Sequence, residues 1–245
     1  MRNFLIALQF MTIFRLRNDL AETPEDMAVS VGYYPLVGLV LGGCLVPIHY
    51  ALRDVFPSEV LGLLLAFALA ALTQGFHLDG LSDSADGLLS HRDQARKLEI
   101  MKDSRIGAFG VLALIFVVGL KTMLLAGLGQ RNHWPALLLF PVWGRLAASL
   151  TACLSNYARP QGGLGRPFID LTGRRELYLA GATALVLSVL VMGAAGLAAV
   201  VIVGLAAFLA LRVWKKQLGG VTGDILGAVI ELGETLGLAL ALALT

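Results

Sequence analysis

The feature that most constrains this chain is its succession of long apolar runs. Near Tyr33–Leu52, Val60–Phe76, Gly107–Leu128, Trp134–Leu154, Leu177–Ala194, Gly196–Val213 and Ile225–Leu244 the sequence is almost free of charge. A helix needs about 20 predominantly apolar residues to cross a bilayer, and helices satisfy their own backbone hydrogen bonds there. The expected fold class is therefore all-α, a polytopic membrane helical bundle of about six to seven transmembrane helices. Composition agrees: 57% of the 245 residues are apolar and 15% charged, with a mean hydropathy of +0.78. The second run is short. The fifth and sixth meet at GAAG, residues 193–196, which predicts a helical hairpin or one broken element. The last carries Glu231 and Glu234, which count against its insertion. Gly38 and Gly42, four residues apart, predict a close helix approach.

The net charge of +2 is less telling than its distribution. Of the 19 Lys and Arg, 15 fall on the N-terminal side of the predicted spans, and only Arg53 and Arg131 on the other. Basic loops mark the cytoplasmic side. The long, reactive loops are thus expected at the cytoplasmic face of a multi-pass inner (cytoplasmic) membrane protein. Cys44 and Cys153 lie in apolar runs, which argues against a disulfide framework. The N-terminal FLIALQFMTIF lacks a small-residue cleavage site and is expected to be an interfacial or short buried helix. No internal repeat or boundary is visible, so residues 1–245 read as one integral-membrane domain. The basic residues sit in separate loops without interleaved aromatics, which points away from nucleic acid.

The chemistry concentrates in GFHLDGLSDSADGL, Gly75–Leu88. Asp79, Asp83 and Asp86 are four and three residues apart, so a helix places them in one stripe. Three like charges repel and call for a cation, and an oxygen-rich site suits Mg²⁺ or Mn²⁺. A solvated helix face is the ordinary explanation of a charge run. Here the stripe is wholly acidic between basic flanks and follows an apolar span, where carboxylates mark function. His77 reads equally as ligand, general base or interface anchor.

In RKLEIMKDSRIGAFG an amphipathic helix leads into the third span. Asp103 is a candidate fourth metal ligand and Arg105 a candidate phosphate clamp, since arginine grips phosphate in a planar fork. In NYARPQGGLGRPF, Gly162, Gly163 and Gly165 between Arg159 and Arg166 form a loop able to cradle phosphates, although such loops are often plain connectors. In GGVTGDILGAVIELGE, Asp224 and Glu231 share a helix face, with Glu234 about 80° away. These acids either complete the same site or pair with Arg145 or Lys121 inside the bundle.

GFHLDGLSDSADGL, LEIMKDSRIGAFGVLAL, GGVTGDILGA and GYYPLVGLVLGG together resemble the cobalamin synthase family, the adenosylcobinamide-GDP ribazoletransferases or cobamide synthases. The similarity runs from about Phe4 to Leu240. Near the N-terminus the family commonly has Arg-Leu-Pro, where this chain has Arg15, Leu16 and Arg17. The resemblance implies a Mg²⁺-dependent inner-membrane enzyme that joins α-ribazole or its 5′-phosphate to adenosylcobinamide-GDP. The products would be adenosylcobalamin or its 5′-phosphate, and GMP. Under this implication Asp79, Asp83, Asp86 and Asp103 would hold metal, while Arg105, Arg159 and Arg166 would neutralise the diphosphate. His77 or a carboxylate, with Asp86 preferred, would accept the hydroxyl proton. A substrate as large and amphiphilic as a corrinoid suits a groove or a homo-oligomer interface open to the cytoplasm. Two other classes compete. A CDP-alcohol phosphotransferase would carry an Ala-Arg pair after Asp-Gly, and here Asp79-Gly80 leads to Leu81 and Ser82. A cation or proton transporter would place its acids at mid-membrane.

Overall fold

The computed structural model describes residues 1–17, 23–130 and 133–244. The expected position of Arg131 lies outside them. The described residues form eleven α-helices: α1 (Arg2–Met11), α2 (Pro24–Ser30), α3 (Tyr34–Leu52), α4 (Ser58–Leu72), α5 (Phe76–Leu88), α6 (Gln94–Ile100), α7 (Ala108–Gln130), α8 (Trp134–Cys153), α9 (Arg166–Asp170), α10 (Arg174–Leu218) and α11 (Gly223–Leu244). No strand occurs among them; a single parallel bridge joins Tyr157 to Val221. The chain is thus an all-α, multi-pass membrane bundle, as its hydropathy predicts.

Five helical segments, Pro24–Leu52, α7, α8, α10 and α11, are long and apolar enough to cross a bilayer, and α4 with α5 forms a further, bent candidate. The 45-residue α10 would measure about 68 Å if straight, against a hydrocarbon core of about 30 Å. It is not straight. Gly193 takes φ 56° and ψ −129°, and a Cβ on Gly196 would collide with the carbonyl of Ser188, so the second half folds back on the first. The GAAG segment is therefore a helical hairpin, and glycine supplies the backbone conformation that an L side chain resists. α4 has 15 residues, about 22 Å, which accounts for the weak second run.

α8 is the hub. Nearly every residue from Ala136 to Ala152 is buried, because α3, α10 and α11 all pack on it. On the α3 side the approach is backbone to backbone: a Cβ on Gly38 or Gly42 would strike the carbonyls of Pro141 and Leu138, as the glycine spacing predicts. α7 instead exposes Ile115, Phe116 and Met123, the apolar outer surface of a helix that faces lipid tails. Its Lys121 turns inward. Lys121 Nζ lies 2.5 Å from Glu231 and 2.6 Å from Glu234, and Glu234 also binds Arg145. This resolves the alternative left open for the last helix. Glu231 and Glu234 are neutralised inside the bundle, so α11 carries them without meeting lipid, and Asp224 alone of the three acids is left for the site.

Several connections gather at one end. Ile13 N donates to Leu72 O at 2.9 Å, Ala158 N to Val221 O at 2.9 Å and Val221 N to Asn156 O at 3.0 Å. Arg159 reaches Met101 O at 3.2 Å. The end of α1, the α4–α5 turn, the loop before α7, the loop after α8 and the start of α11 are thereby one assembly.

Candidate active site

The turn after α4 decides where the acidic helix goes. Gln74 and Gly75 take left-handed conformations, φ 56° and 69°, and Gly75 N donates to Ala70 O at 2.8 Å. Helix α5 leaves at 93° to α4, and so lies across the bundle end. There it rests on α11 through glycine. A Cβ on Gly80 would sit 2.7 Å from Asp224 O, and one on Gly227 3.2 Å from His77 Cα. These small residues bring the carboxylates of two helices to one place.

That place is a cavity of about 1060 Å³, with His77, Asp79, Asp83, Lys102, Asp103, Arg159 and Asp224 among its lining. Phe10 and Phe168 make part of its apolar wall, stacked 4.3 Å apart, with Phe76 edge-on to Phe10 at 5.7 Å. Ligand pockets for drug-sized molecules span roughly 300–1,000 Å³, so this one admits a large molecule with both apolar and charged parts.

The stripe on α5 divides. Neither the Asp79 nor the Asp83 carboxylate has a hydrogen-bond or ion-pair partner among the described residues. Partial burial of the Asp83 carboxyl is the main influence on it; the negative charges of Asp79, Asp224 and Asp86 add to it, with Arg159 opposing them. Asp86 is one turn too far along to join the cavity. The start of α7 crosses over the end of α5, and Asp86 accepts from Gly107 N at 2.7 Å and from Gly110 N at 2.9 Å. It satisfies two of the donors that a helix N-terminus leaves open and sits at the positive end of the helix dipole. The glycines of GAFG are needed for this cap, since a Cβ at position 107 or 110 would press into Asp86. Asp86, expected as metal ligand or base, instead has both oxygens committed to holding α7.

Asp103 lies on the wall, but its carboxylate is gripped by Arg105, Nε at 3.0 Å and Nη2 at 2.7 Å. The guanidinium holds the Asp103 carboxyl down at about 2. Arg105 is 87% exposed and stands outside the cavity lining. Thus the expected fourth ligand and the expected clamp are partners of each other. Arg166 pairs with Asp170 at 3.0 Å, and Asp170 accepts from Tyr157 N at 2.8 Å, so this arginine braces the loop from outside the cavity. Gly163 is packed so closely on Tyr157 that a Cβ there would meet the phenol oxygen; it seats Tyr157, itself on the wall. Among the described residues no three His, Cys, Asp or Glu side chains come together as a ready ligand set for one metal ion.

Arg159 is the basic residue that does reach the cavity. Its Nη2 lies 2.6 Å from Asp224 Oδ2, and its Nε is buried without a partner among the described residues. Asp224 accepts also from Thr222 at 3.1 Å. Lys102 joins Arg159 on the wall. Sequence reasoning gave Lys102 no role, although it adjoins Asp103; its signal was lost among the charges of an amphipathic helix.

Fold and site together define an integral-membrane helical bundle with an amphiphilic cavity at one end. Unpartnered carboxylates and two cations share the wall of that cavity. The profile of the cobalamin-5-phosphate synthase family matches residues 3–242. Proteins named adenosylcobinamide-GDP ribazoletransferase from Acetivibrio thermocellus and Syntrophobacter fumaroxidans are 40% and 43% identical to this chain. The alignments cover 96% of this chain and 95% of the first relative, and 98% and 97% for the second. A protein of the same name from Roseiflexus is 41% identical over 95% of this chain and 86% of its own. The chain therefore belongs to the cobalamin-5-phosphate synthase family. No solved structure matches it.

Proposed function

We propose that this protein is an adenosylcobinamide-GDP ribazoletransferase whose chemistry takes place in the cavity beside α5. The substrates are adenosylcobinamide-GDP and α-ribazole or its 5′-phosphate. The 5′-hydroxyl oxygen attacks the phosphorus that bears the cobinamide. The P–O bond of the diphosphate bridge breaks, GMP leaves with that bridging oxygen, and the hydroxyl proton passes to a base. The observation that carries this reading is the cavity wall: the Asp79 and Asp83 carboxylates, without hydrogen-bond or ion-pair partners among the described residues, together with Arg159 and Lys102, around a space of about 1060 Å³.

The wall residues fit a divalent cation in one particular way. Mg²⁺ is usually held by one or two carboxylates together with substrate phosphates and water. Two free aspartates with Asp224 nearby meet that need without a closed protein cage. When bound, Mg²⁺ would neutralise charge on the diphosphate. The rest falls to the chain's own groups. Arg159 offers its guanidinium to a phosphoryl oxygen, and its unpartnered Nε–H is a donor still to be satisfied. Lys102 adds positive charge on the same wall. The aromatic and aliphatic side gives the apolar parts of the substrates a surface that excludes water. Phosphoryl transfer is promoted chiefly by such positioning and charge compensation. The excess of basic residues at the loop-bearing end supports a cytoplasmic-facing site in a bacterial inner membrane.

The test is turnover by the purified protein in liposomes with adenosylcobinamide-GDP and α-ribazole, with and without Mg²⁺. Cation-dependent release of GMP with cobamide formation is the expected result. CMP release from a CDP-alcohol, with no reaction of the corrinoid, would assign the protein elsewhere.

A further inference from the structure

Helix α5 is held by side-chain contacts near both of its ends. At its far end Asp86 is tied to the start of α7. At its near end His77, 2% exposed, has Arg145 Nη2 at 3.4 Å from Nδ1. Asp79 and Asp83, the unpartnered acids, lie between these anchors. We propose that His77 is a positioning residue that fixes the acidic helix through its Nδ1 and is not the acceptor of the substrate's proton. This rests on the reading that Asp79 and Asp83 form the working wall of the site.

The chemistry of the pair decides the tautomer. A guanidinium can only donate, so the nitrogen facing it presents its lone pair. The single hydrogen of a neutral imidazole then resides on Nε2. That atom is buried and has no partner among the described residues, and its hydrogen leaves no lone pair there to take up a proton.

Arg145 is itself held in place by a buried carboxylate. It is fully buried and bound to Glu234, whose second oxygen takes Lys121 at 2.6 Å; Lys121 also holds Glu231 at 2.5 Å. His77 is thus the last member of a buried polar chain through α7, α8 and α11. Gly227 against His77 and Gly80 against Asp224 let the first turn of α5 settle onto this frame. A side chain whose role is to orient a neighbour matters through one acceptor atom at one place.

The experiment compares His77→Asn, His77→Gln and His77→Leu. The amide oxygen of Asn stands near the position of Nδ1, and that of Gln near Nε2. The expectation is that His77→Asn keeps kcat within about fivefold of wild type. His77→Gln and His77→Leu should lose about 100-fold, the scale of a displacement of about 1 Å at a reacting centre. KM for the nucleoside should stay near wild type throughout. An Asn variant as impaired as Leu, while equally well folded by thermal melting in detergent, overturns the proposal. So does a Gln variant more active than Asn. Should the Leu variant fail to fold, the Asn–Gln comparison decides. A readout free of turnover is the ¹⁵N spectrum of histidine-labelled protein, with His77 assigned by its loss in the Asn variant. A bare Nδ1 and a protonated Nε2 are expected, and the opposite tautomer refutes the assignment. Asp79→Asn in the same assay separates the two claims, because its full activity would sink the reading of the acidic wall while the His77 series still gives its own answer.

Discussion

Asp79, Asp83 and Asp86 are the same residue type at helical spacing, yet the structure treats them differently. Asp79→Asn and Asp83→Asn should each lower GMP release by about 100- to 1,000-fold, the range for removing one well-placed electrostatic group, with thermal stability unchanged. Asp86→Ala should instead lower stability by about 1–2 kcal/mol as a lost helix cap, read as a fall in melting temperature in detergent. Its residual activity should follow the folded fraction. An Asp86 variant that melts like wild type but does not turn over would show that the cap account is incomplete. The sequence made this stripe legible because periodicity places all three side chains on one face. It could not show that α7 crosses over the last turn, since that depends on packing between segments with no local signature. The same limit applies to Arg105 and Arg166. Each is chemically fit for phosphate, and each finds a carboxylate two or four residues away. Arg159, whose partner Asp224 is 65 residues distant, is the one brought to the wall.

At the scale of elements, the charges inside the membrane act as fastenings between helices. Breaking a buried pair leaves an uncompensated charge and costs about 3–5 kcal/mol. Glu234→Ala, which strands the buried Arg145 and leaves Lys121 only Glu231, is therefore expected to abolish recovery of folded protein from detergent extraction. Arg96, paired with Glu99 on α6, is an exposed comparison: Arg96→Ala should have little effect, because exposed pairs contribute about 0–1 kcal/mol. Glycine contacts give a second prediction. Gly42→Leu on α3 forces a side chain into the backbone of α8, and overpacking costs about 1–3 kcal/mol or more. The variant should melt earlier even though leucine is the more apolar residue. The helices themselves were legible from hydropathy to within a few residues. The hairpin in α10 was legible as one of two alternatives, because 45 residues exceed any single crossing and glycine marks the break. The direction of α5 was not legible. The left-handed pair Gln74–Gly75 turns the helix by 93°, and nothing in the local sequence states that angle.

At the scale of the whole molecule, the chain gathers its reactive groups at one end of an otherwise apolar bundle. α8 is the buried post, α7 and α10 meet the lipid, and α5 lies across the end as the acidic wall of the cavity. The class of protein was readable from motif and hydropathy together, and membership of the cobalamin-5-phosphate synthase family agrees with it. The membership of the site was only partly readable, because a cavity is assembled from segments far apart in sequence. The central claim is that corrinoid phosphoryl transfer occurs at the α5 wall, with Asp83 part of it. The most direct measurement is GMP release from adenosylcobinamide-GDP by wild type and Asp83→Asn, reconstituted side by side in liposomes with Mg²⁺ and α-ribazole. The account predicts steady release by wild type and, with equal folded protein, a variant reduced by about 100-fold or more. Equal rates would contradict it and would place the transfer chemistry elsewhere in the bundle.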